Sequence, residues 1–190
     1  MASRVSEHDA PLAAVGIPPA VRPLLSQYLD LVQRWNERTN LTGARTASER
    51  VRVLVSDAWR AAPLVRGTTL IDVGSGNGSP GLVLALVRPE LQVTLLEPRA
   101  RRWAFLREVA RSLGRADVVV ARCRASEFGE AADAVTLRAV GLSLTEVAGL
   151  VRPGGQVLVF GGEPVEEGGF RRLARHPLEG SFLHEFQRGG

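Results

Sequence analysis

The chain has 190 residues, of which 45% are hydrophobic, so it is long enough for one domain with a substantial core. Cys123 is the single cysteine, which excludes an intrachain disulfide, and no apolar run approaches the ~18 residues that a membrane span needs. The net charge is +4 and every basic residue is an arginine, a balance compatible with an anionic partner such as nucleic acid. We expect a soluble, cytoplasmic protein without a membrane contact.

The N-terminal third of the chain is predicted to be helical. Residues 1–17 are polar and interrupted by proline, which predicts a loose segment. From Pro18 to Trp35, apolar side chains recur at intervals of three, four and seven residues, the spacing of an amphipathic helix. A second helix is expected to begin at Thr46, where Glu49 completes a capping box.

Beyond the helical part, strands and helices are predicted to alternate, which is the pattern of a parallel sheet. The division we expect is an N-terminal helical segment, 1–66, followed by one compact α/β unit, 67–190. Strands are predicted at 69–73, 92–97, 117–121, 133–137 and 156–160, and helices at 80–87, 98–113 and after Ser143.

The pattern weakens towards the C-terminus. A short helix is predicted near 166–175, followed by an edge strand at 181–186. This segment is expected to be too short for two full antiparallel strands that would close the sheet.

The most informative stretch runs from Thr69 to Gly81, TLIDVGSGNGSPG, where an apolar run ends in an acid and then in glycines. Glycines at the carboxyl end of a buried strand allow a tight turn and close approach of the backbone to a ligand. The spacing departs from the dinucleotide fingerprint, because Ser79 stands where the third glycine would be. It therefore favours a cofactor without a phosphate, such as S-adenosylmethionine; the alternative is a glycine-rich turn without a ligand.

Two acidic residues flank this loop. Glu97 ends the second predicted strand, at the position where doubly wound sheets bind ribose hydroxyls. The alternative for Glu97 is a solvated strand end. Asp72 is predicted either to orient the loop through backbone amides or to approach the amino group of the cofactor.

Arginines are concentrated on and after the helix that follows Glu97. They form either a solvated helix face or a phosphate-contacting surface, and the sequence favours neither. Arg138 differs, because it follows the fourth strand at the edge where ligands bind in open α/β sheets. The histidines and the cysteine have no zinc-site spacing, so no metal is predicted. The clustered arginines are Arg99, Arg101, Arg102, Arg107, Arg111, Arg115, Arg122 and Arg124.

Several motifs together resemble the GidB/RsmG family of bacterial small-subunit rRNA guanine-N7 methyltransferases. The resemblance implies a class I methyltransferase fold, Rossmann-like and mostly parallel, with an N-terminal helical extension. It also implies S-adenosylmethionine as methyl donor and N7 of a guanosine in 16S rRNA as acceptor. The expected partner is 16S rRNA or the small ribosomal subunit, and the expected state is a monomer. The motifs are Arg34-Trp35-Asn36, Asn40-Leu41-Thr42, Asp72 to Gly81, Leu95-Leu96-Glu97, Arg101 to Leu106 and Arg138-Ala139-Val140.

The motifs and the resemblance together give a set of expected site residues. RNA contacts are expected at Asn40, Asp57, Arg99 and Arg101. Guanine N7 has a lone pair and no proton, so no catalytic base is assigned, and Arg138 is the candidate for positioning. Cofactor contacts are expected at Asp72, Gly74, Ser75, Gly76, Gly78, Ser79, Glu97, Pro98, Ala125, Ser126 and Arg138.

The chain departs from the family pattern at several positions. The usual histidine and serine of the second helix are Leu54 and Ala58, an acid is replaced by Ser126, and Gly161-Gly162 stands in place of a lysine. Two other functions therefore remain open. One is a ribosome-associated or RNA-binding protein that keeps the cofactor pocket with weak or lost activity, and the other is a methyltransferase for another RNA or a small molecule.

Overall fold

The computed structural model describes residues 6–162, 164 and 168–190. Seven strands in this part form one sheet: β1 Thr69–Val73, β2 Gln92–Leu96, β3 Val119–Ala121, β4 Ala132–Arg138, β5 Val151–Gly161, β6 Phe170–Pro177 and β7 Phe182–Arg188. Their order is β3-β2-β1-β4-β5-β7-β6. The first five strands pair in parallel, and β7 is antiparallel to both β5 and β6. The prediction of a mostly parallel sheet is confirmed.

The helices of the described residues are α1 Asp9–Ala14, α2 Arg22–Asn36, α3 Ala47–Val51, α4 Asp57–Ala61, α5 Gly81–Val87, α6 Ala100–Ser112 and α7 Leu144–Val147. A π-helical turn, Arg52–Ser56, joins α3 to α4. The capping box predicted at Thr46 is present, because its hydroxyl accepts from the Glu49 amide at 3.2 Å and the Glu49 carboxylate accepts from the Thr46 amide at 3.1 Å. No helix in the described ranges is long and apolar enough to cross a membrane.

The sheet has a hydrophobic cluster on each face, because successive strand side chains point in opposite directions. In β1, Leu70 belongs to the cluster that includes α1 to α6, whereas Ile71 and Val73 belong to the cluster that includes α7. This central strand is therefore buried on both faces, as its apolar run predicted. Because β2 and β4 both pair in parallel with β1, the carboxyl ends of the three strands meet at one edge of the sheet.

The prediction of a loose segment at 1–17 is wrong for the residues that the structure describes, which start at residue 6. The segment contains α1, and His8 is completely buried between α2 and α3. The Arg50 Nε donates to His8 Nε2 at 3.1 Å, and His8 Nδ1 lies 3.1 Å from an Asp30 carboxylate oxygen. His8 thus has polar partners on α2 and α3 inside the fold. A prediction from composition, which assumes that polar residues are solvated, misses such contacts.

The C-terminal predictions are also wrong. Part of the predicted helix near 166–175 is strand β6, and its residues 166–167 lie outside the described residues. The predicted edge strand is β7, which lies between β5 and β6, so two antiparallel strands do close the sheet. Pairing with neighbouring strands overrides a weak local helix preference, because strand propensity depends mainly on tertiary context.

Strand β5 is longer than predicted. It begins at Val151 rather than Gln156, and its pairing with β4 shifts register between Ala132 and Ala134. Gly154 has a φ of 76°, a left-handed conformation that glycine adopts without a steric penalty. The segment Pro153-Gly154-Gly155, which precedes the predicted strand, is therefore an irregularity within β5.

The buried His8 predicts a pH dependence of stability. Burial and the Arg50 guanidinium lower the pKa of His8 below its ordinary value of 6.5, against the opposing effects of Asp30 and Glu7. As the pH falls through 6.5, the unfolded state therefore binds more protons than the folded state, and the free energy of unfolding falls. We expect His8→Gln to remove this component, which is at most about 1.4 kcal/mol per pH unit for one proton.

Urea unfolding of the wild type and the variant at pH 7.5 and pH 5.5 checks this expectation. His176→Gln is the matched control, because that histidine is partly exposed, with 32% of its side-chain surface accessible. Equal pH dependence in the wild type and His8→Gln would contradict the assignment.

Candidate cofactor and acceptor site

Three residues predicted for the site converge at the carboxyl edge of the sheet. The last residue of β1 is level with the last residue of β2 and with the penultimate residue of β4. Gly74, Glu97 and Arg138 come next on these strands. Parallel strands lie about 4.8 Å apart, so the register alone brings these residues into one neighbourhood.

The glycine loop turns back over the end of β2. The amides of Gly74 and Ser75 donate to the Leu96 carbonyl at 2.9 and 3.0 Å. Gly74 has a φ of 70°, and a Cβ at this position would lie only 2.2 Å from Cγ1 of Val140. A larger residue is therefore excluded both by conformation and by the segment that follows β4.

Glu97 is buried and holds the loop. One carboxylate oxygen accepts from the Gly76 amide at 3.0 Å, and the other accepts from the Arg99 amide at 2.8 Å. The residue is only 3% exposed, so the alternative of a solvated strand end is wrong. Each carboxylate oxygen retains acceptor capacity towards a further donor.

Asp72 lies beneath the loop. Its Oδ1 accepts from the Thr136 hydroxyl at 2.6 Å, and a Cβ on Gly81 would lie 2.3 Å from the Asp72 Cβ. Burial raises the pKa of Asp72 to about 6, although the Thr136 and Ser75 hydroxyls favour the ionised form. Asp72 does not line the cavity described below, and the geometry favours its role in orienting the loop.

A cavity of about 580 Å³ opens beside the loop on the sheet face that carries α7. This size is within the range of small-molecule sites. Six residues predicted for the site line it: Gly74, Glu97, Pro98, Arg99, Ala125 and Ser126. Arg102 and Arg124, two of the clustered arginines, also line it, whereas sequence reasoning did not assign Val73, Leu96, Cys123, Ala139, Val140, Leu142 and Glu146 to the site. Several of them adjoin strand ends, which is the pattern that could have identified them.

A second polar group lies on the helical face of the sheet, away from the cavity lining. Arg138 Nη1 donates to the Ser79 hydroxyl at 2.9 Å, and its Nη2 lies 3.5 Å from Asp57 Oδ2. Burial raises the pKa of Asp57, although the charge of Arg138 opposes this effect. Asp57 Oδ1 and Ser56 Oγ are two of the buried side-chain atoms in the described part of the chain that form no hydrogen bond. We call Asp57, Ser79 and Arg138 the arginine cluster.

The loop is also fixed from the N-terminal side. The Asn36 side chain accepts from the Leu41 amide at 2.7 Å and donates to the Thr42 carbonyl at 2.9 Å. The Leu41 carbonyl in turn accepts from the Asn77 side chain at 3.1 Å, and the Asn77 carbonyl accepts from the Tyr28 hydroxyl at 2.9 Å. Asn36, the Asn40-Leu41-Thr42 motif and the glycine loop are therefore joined by direct hydrogen bonds.

The other residues predicted for the site do not line the cavity. Asn40 is exposed, and its backbone carbonyl accepts from Arg102 at 3.1 Å. Arg101 is exposed in the first turn of α6. Ser75 is 2% exposed and donates its hydroxyl to the Asp72 carbonyl at 2.9 Å. Gly78 has a φ of 91°, which the tight turn of the loop requires.

The family model and the relatives found by sequence agree on one family. The model of the GidB family, rRNA small subunit methyltransferase G, matches residues 22–172. Ribosomal RNA small subunit methyltransferase G of Stenotrophomonas maltophilia is 39% identical and covers 83% of this chain and 78% of its own length. The protein of the same name from Xanthomonas campestris pv. campestris is 40% identical and covers 83% and 79%.

Solved structures confirm the class I methyltransferase fold. A putative O-methyltransferase from Klebsiella pneumoniae has a TM-score of 0.67 at 15% identity and covers 97% of both chains. An RNA methyltransferase from Salinibacter ruber in complex with S-adenosyl-L-homocysteine has a TM-score of 0.56 at 21% identity. It covers 71% of this chain and 90% of that chain. At these identities the likeness concerns the fold alone.

The arginine cluster predicts an energetic coupling. Arg138→Ala removes the cation of the cluster that lies next to Asp57. The Asp57 side chain is only 10% exposed, so its charge is then poorly compensated. We expect the free energy of unfolding to fall by about 1–3 kcal/mol. The double variant Arg138→Ala/Asp57→Asn should cost less than the sum of the single variants, because it leaves no buried charge unpaired.

Urea unfolding of the four proteins in this cycle measures the coupling. Arg152→Ala is the control, since its ion pair with Asp133 is exposed by 52% and 26% and should contribute less than about 1 kcal/mol. Additive effects of the two cluster substitutions would show that Arg138 and Asp57 do not stabilise each other.

Proposed function

The chain belongs to the GidB family of small-subunit rRNA methyltransferases, and we propose that it methylates N7 of a guanosine in 16S rRNA. Its class, a methyltransferase that depends on S-adenosylmethionine, follows from this membership. The observation that carries the proposal is the cavity bounded by Gly74 and Glu97 at the carboxyl edge of the sheet. Ligands of open α/β sheets bind at this edge.

The residues around the cavity fit the nucleoside part of S-adenosylmethionine. Leu96, Val140 and Leu142 offer apolar surface suited to an adenine ring. Glu97 offers acceptor oxygens suited to ribose hydroxyls, because its existing bonds to two amides leave lone pairs available.

The charges of the arginine cluster are complementary to those of an amino acid. A methionine moiety carries a carboxylate and an ammonium group, and Arg138 and Asp57 offer the opposite charges. The unpartnered Asp57 Oδ1 is an acceptor that a bound ammonium group would satisfy. These residues would hold the methionine end of the cofactor, whereas Glu97 would hold the ribose.

Methyl transfer to guanine N7 requires little from the protein beyond the positioning of donor and acceptor. When bound, S-adenosylmethionine supplies an electrophilic methyl carbon on a sulfonium group. Transfer of this methyl group to the N7 lone pair would form the N–C bond as the S–C bond breaks and would move the positive charge to the guanine, with Glu97, Asp57 and Arg138 holding the donor. No proton moves, so no general base is required, and orientation supplies most of the acceleration. The products are N7-methylguanosine and S-adenosylhomocysteine.

The arginines near the cavity support an RNA acceptor. Arg99, Arg102 and Arg124 line the cavity, and Arg101 is exposed beside them. A guanidinium group matches phosphate geometry and keeps its charge at all physiological pH values. Arg115 takes no part in this surface, because it is 8% exposed and forms an ion pair with Asp117 at 2.8 Å.

Methyl transfer to the natural acceptor tests the proposal. We expect labelled S-adenosylmethionine to transfer its methyl group to one guanine when the protein is incubated with 16S rRNA or small subunits. Mass analysis of the digested RNA should identify 7-methylguanosine. Cofactor binding without transfer to either substrate would favour a non-catalytic ribosome-associated protein, and transfer to another atom or RNA would exclude the N7 proposal.

Glu97→Gln predicts a loss of cofactor affinity. The substitution replaces an acceptor oxygen of a charged group with an amide nitrogen that cannot accept from the loop or from a ribose hydroxyl. We expect the Kd for S-adenosylmethionine to rise by about 10- to 100-fold, because bonds to charged groups contribute about 1.5–3 kcal/mol each. Calorimetry measures the change, with Glu108→Gln on the exposed surface of α6 as the matched control. An unchanged Kd would exclude Glu97 from cofactor binding.

A further inference from the structure

An exposed arginine is stacked on an exposed phenylalanine near the turn of the β6–β7 hairpin. Arg175 Cζ lies 3.4 Å from the centroid of the Phe182 ring. Phe182 is 37% exposed and Arg175 is exposed too. Among the described residues, Phe182 and Val119 are the large hydrophobic side chains that are exposed. The solvent-accessible stack is thus unusual for this surface.

The strand register puts this stack at the same edge as the cavity. Phe182 pairs with Gly161, the last residue of β5, and with Pro177, the last residue of β6. Two strand spacings separate β7 from β4, and three separate it from β1. The stack is therefore about 10 Å from the end of β4 and about 14 Å from the end of β1.

The stack is also on the same face of the sheet as the cavity. Phe182 and Phe186 are separated by an even number of residues in β7, so their side chains share a face. Phe186 belongs to the hydrophobic cluster that contains Val73, and Val73 lines the cavity. A few nucleotides of extended RNA can therefore contact the cavity and the stack together.

Arg175 has hydrogen-bonding capacity that the fold does not use. Arg171 donates to the Gln187 side chain at 2.9 Å, and Arg188 donates to the Ala148 carbonyl at 2.8 Å. Across 6–162, 164 and 168–190, no hydrogen bond or ion pair holds Arg175, and its contact is the Phe182 ring. The ring keeps the guanidinium plane in place, while the outer face and the N–H groups stay accessible.

A flat cation with an accessible face and free N–H groups suits one class of ligand. Unpaired bases stack on aromatic rings and arginine planes, and arginine N–H groups bind phosphate oxygens. Strand β6 reads FRRLARHP and contains no acidic residue, so its positive charge favours a polyanion such as RNA.

We propose that Arg175 and Phe182 form a stacking platform for an unpaired base close to the target guanosine in the acceptor RNA. This inference rests on the proposed function and adds residues that position the substrate. The base stacks on the outer face of the guanidinium group, and an adjacent phosphate accepts from its N–H groups. The platform thereby helps to select an unpaired segment of RNA at the cavity.

Steady-state methylation of 16S rRNA or small subunits tests the platform. We expect Arg175→Ala and Phe182→Ala each to raise the KM for the RNA by about 10-fold, the scale of one base stack. The kcat and the Kd for S-adenosylmethionine should stay within about twofold of the wild type, because neither residue lines the cavity. Phe182→Tyr should retain the wild-type KM, since it keeps the ring.

Two further variants separate stacking from charge. Arg175→Lys keeps the charge and loses the plane, so its KM should resemble that of Arg175→Ala. Arg171→Ala removes a charge that is also exposed, from the far end of β6, and should change the KM by less than about threefold.

Several results would overturn the platform. These are a wild-type KM in Arg175→Ala, equal effects of Arg171→Ala and Arg175→Ala, full rescue by Arg175→Lys, or a loss of kcat and cofactor affinity together. If the wild type binds S-adenosylmethionine but methylates neither substrate, the proposed function fails. A wild type that is active while the Arg175 variants keep their KM rejects the platform alone.

Discussion

The hydrogen bonds that hold the glycine loop are the constraint on which the rest of the site depends. Backbone groups of a loop that folds back onto the sheet need partners, because an unpaired buried group costs about as much as a lost hydrogen bond. Here the partners of the backbone are the Leu96 carbonyl, the Glu97 carboxylate and the Tyr28 hydroxyl, and the Leu41 carbonyl binds the side chain of Asn77 in the same loop. The N-terminal helices and the sheet thus meet at the loop, so the cavity wall depends on both.

The same arrangement gives three acidic residues different environments. Asp72 is buried under the loop with a hydroxyl partner, Glu97 holds the loop from the cavity side, and Asp57 lies beside Arg138. Leu54 and Ala58, where the sequence was expected to depart from the family pattern, are buried in the hydrophobic cluster of the helical face and do not line the cavity.

Prediction from the sequence was most successful where a local rule sufficed. The helix starts at Thr46 and Ser143 could be predicted because each combines a hydroxyl with a glutamate three residues later. The parallel strands were readable from short apolar runs. The β6–β7 hairpin and α1 were missed, because β6 exists through pairing with β7, and α1 through burial of His8 against Arg50. Neither interaction leaves a periodic pattern within its own segment.

The sequence by itself determined the fold class, the glycine loop and the family, because backbone conformation and hydrophobic periodicity depend on nearby residues. Only the tertiary structure decided which groups of the site meet. It placed Glu97 on the Gly76 amide of the loop, paired Arg138 with Asp57 from a distant helix, and brought Phe182 level with the end of β5. These contacts depend on strand register and helix packing, which join residues far apart in the chain and are set by the whole core at once.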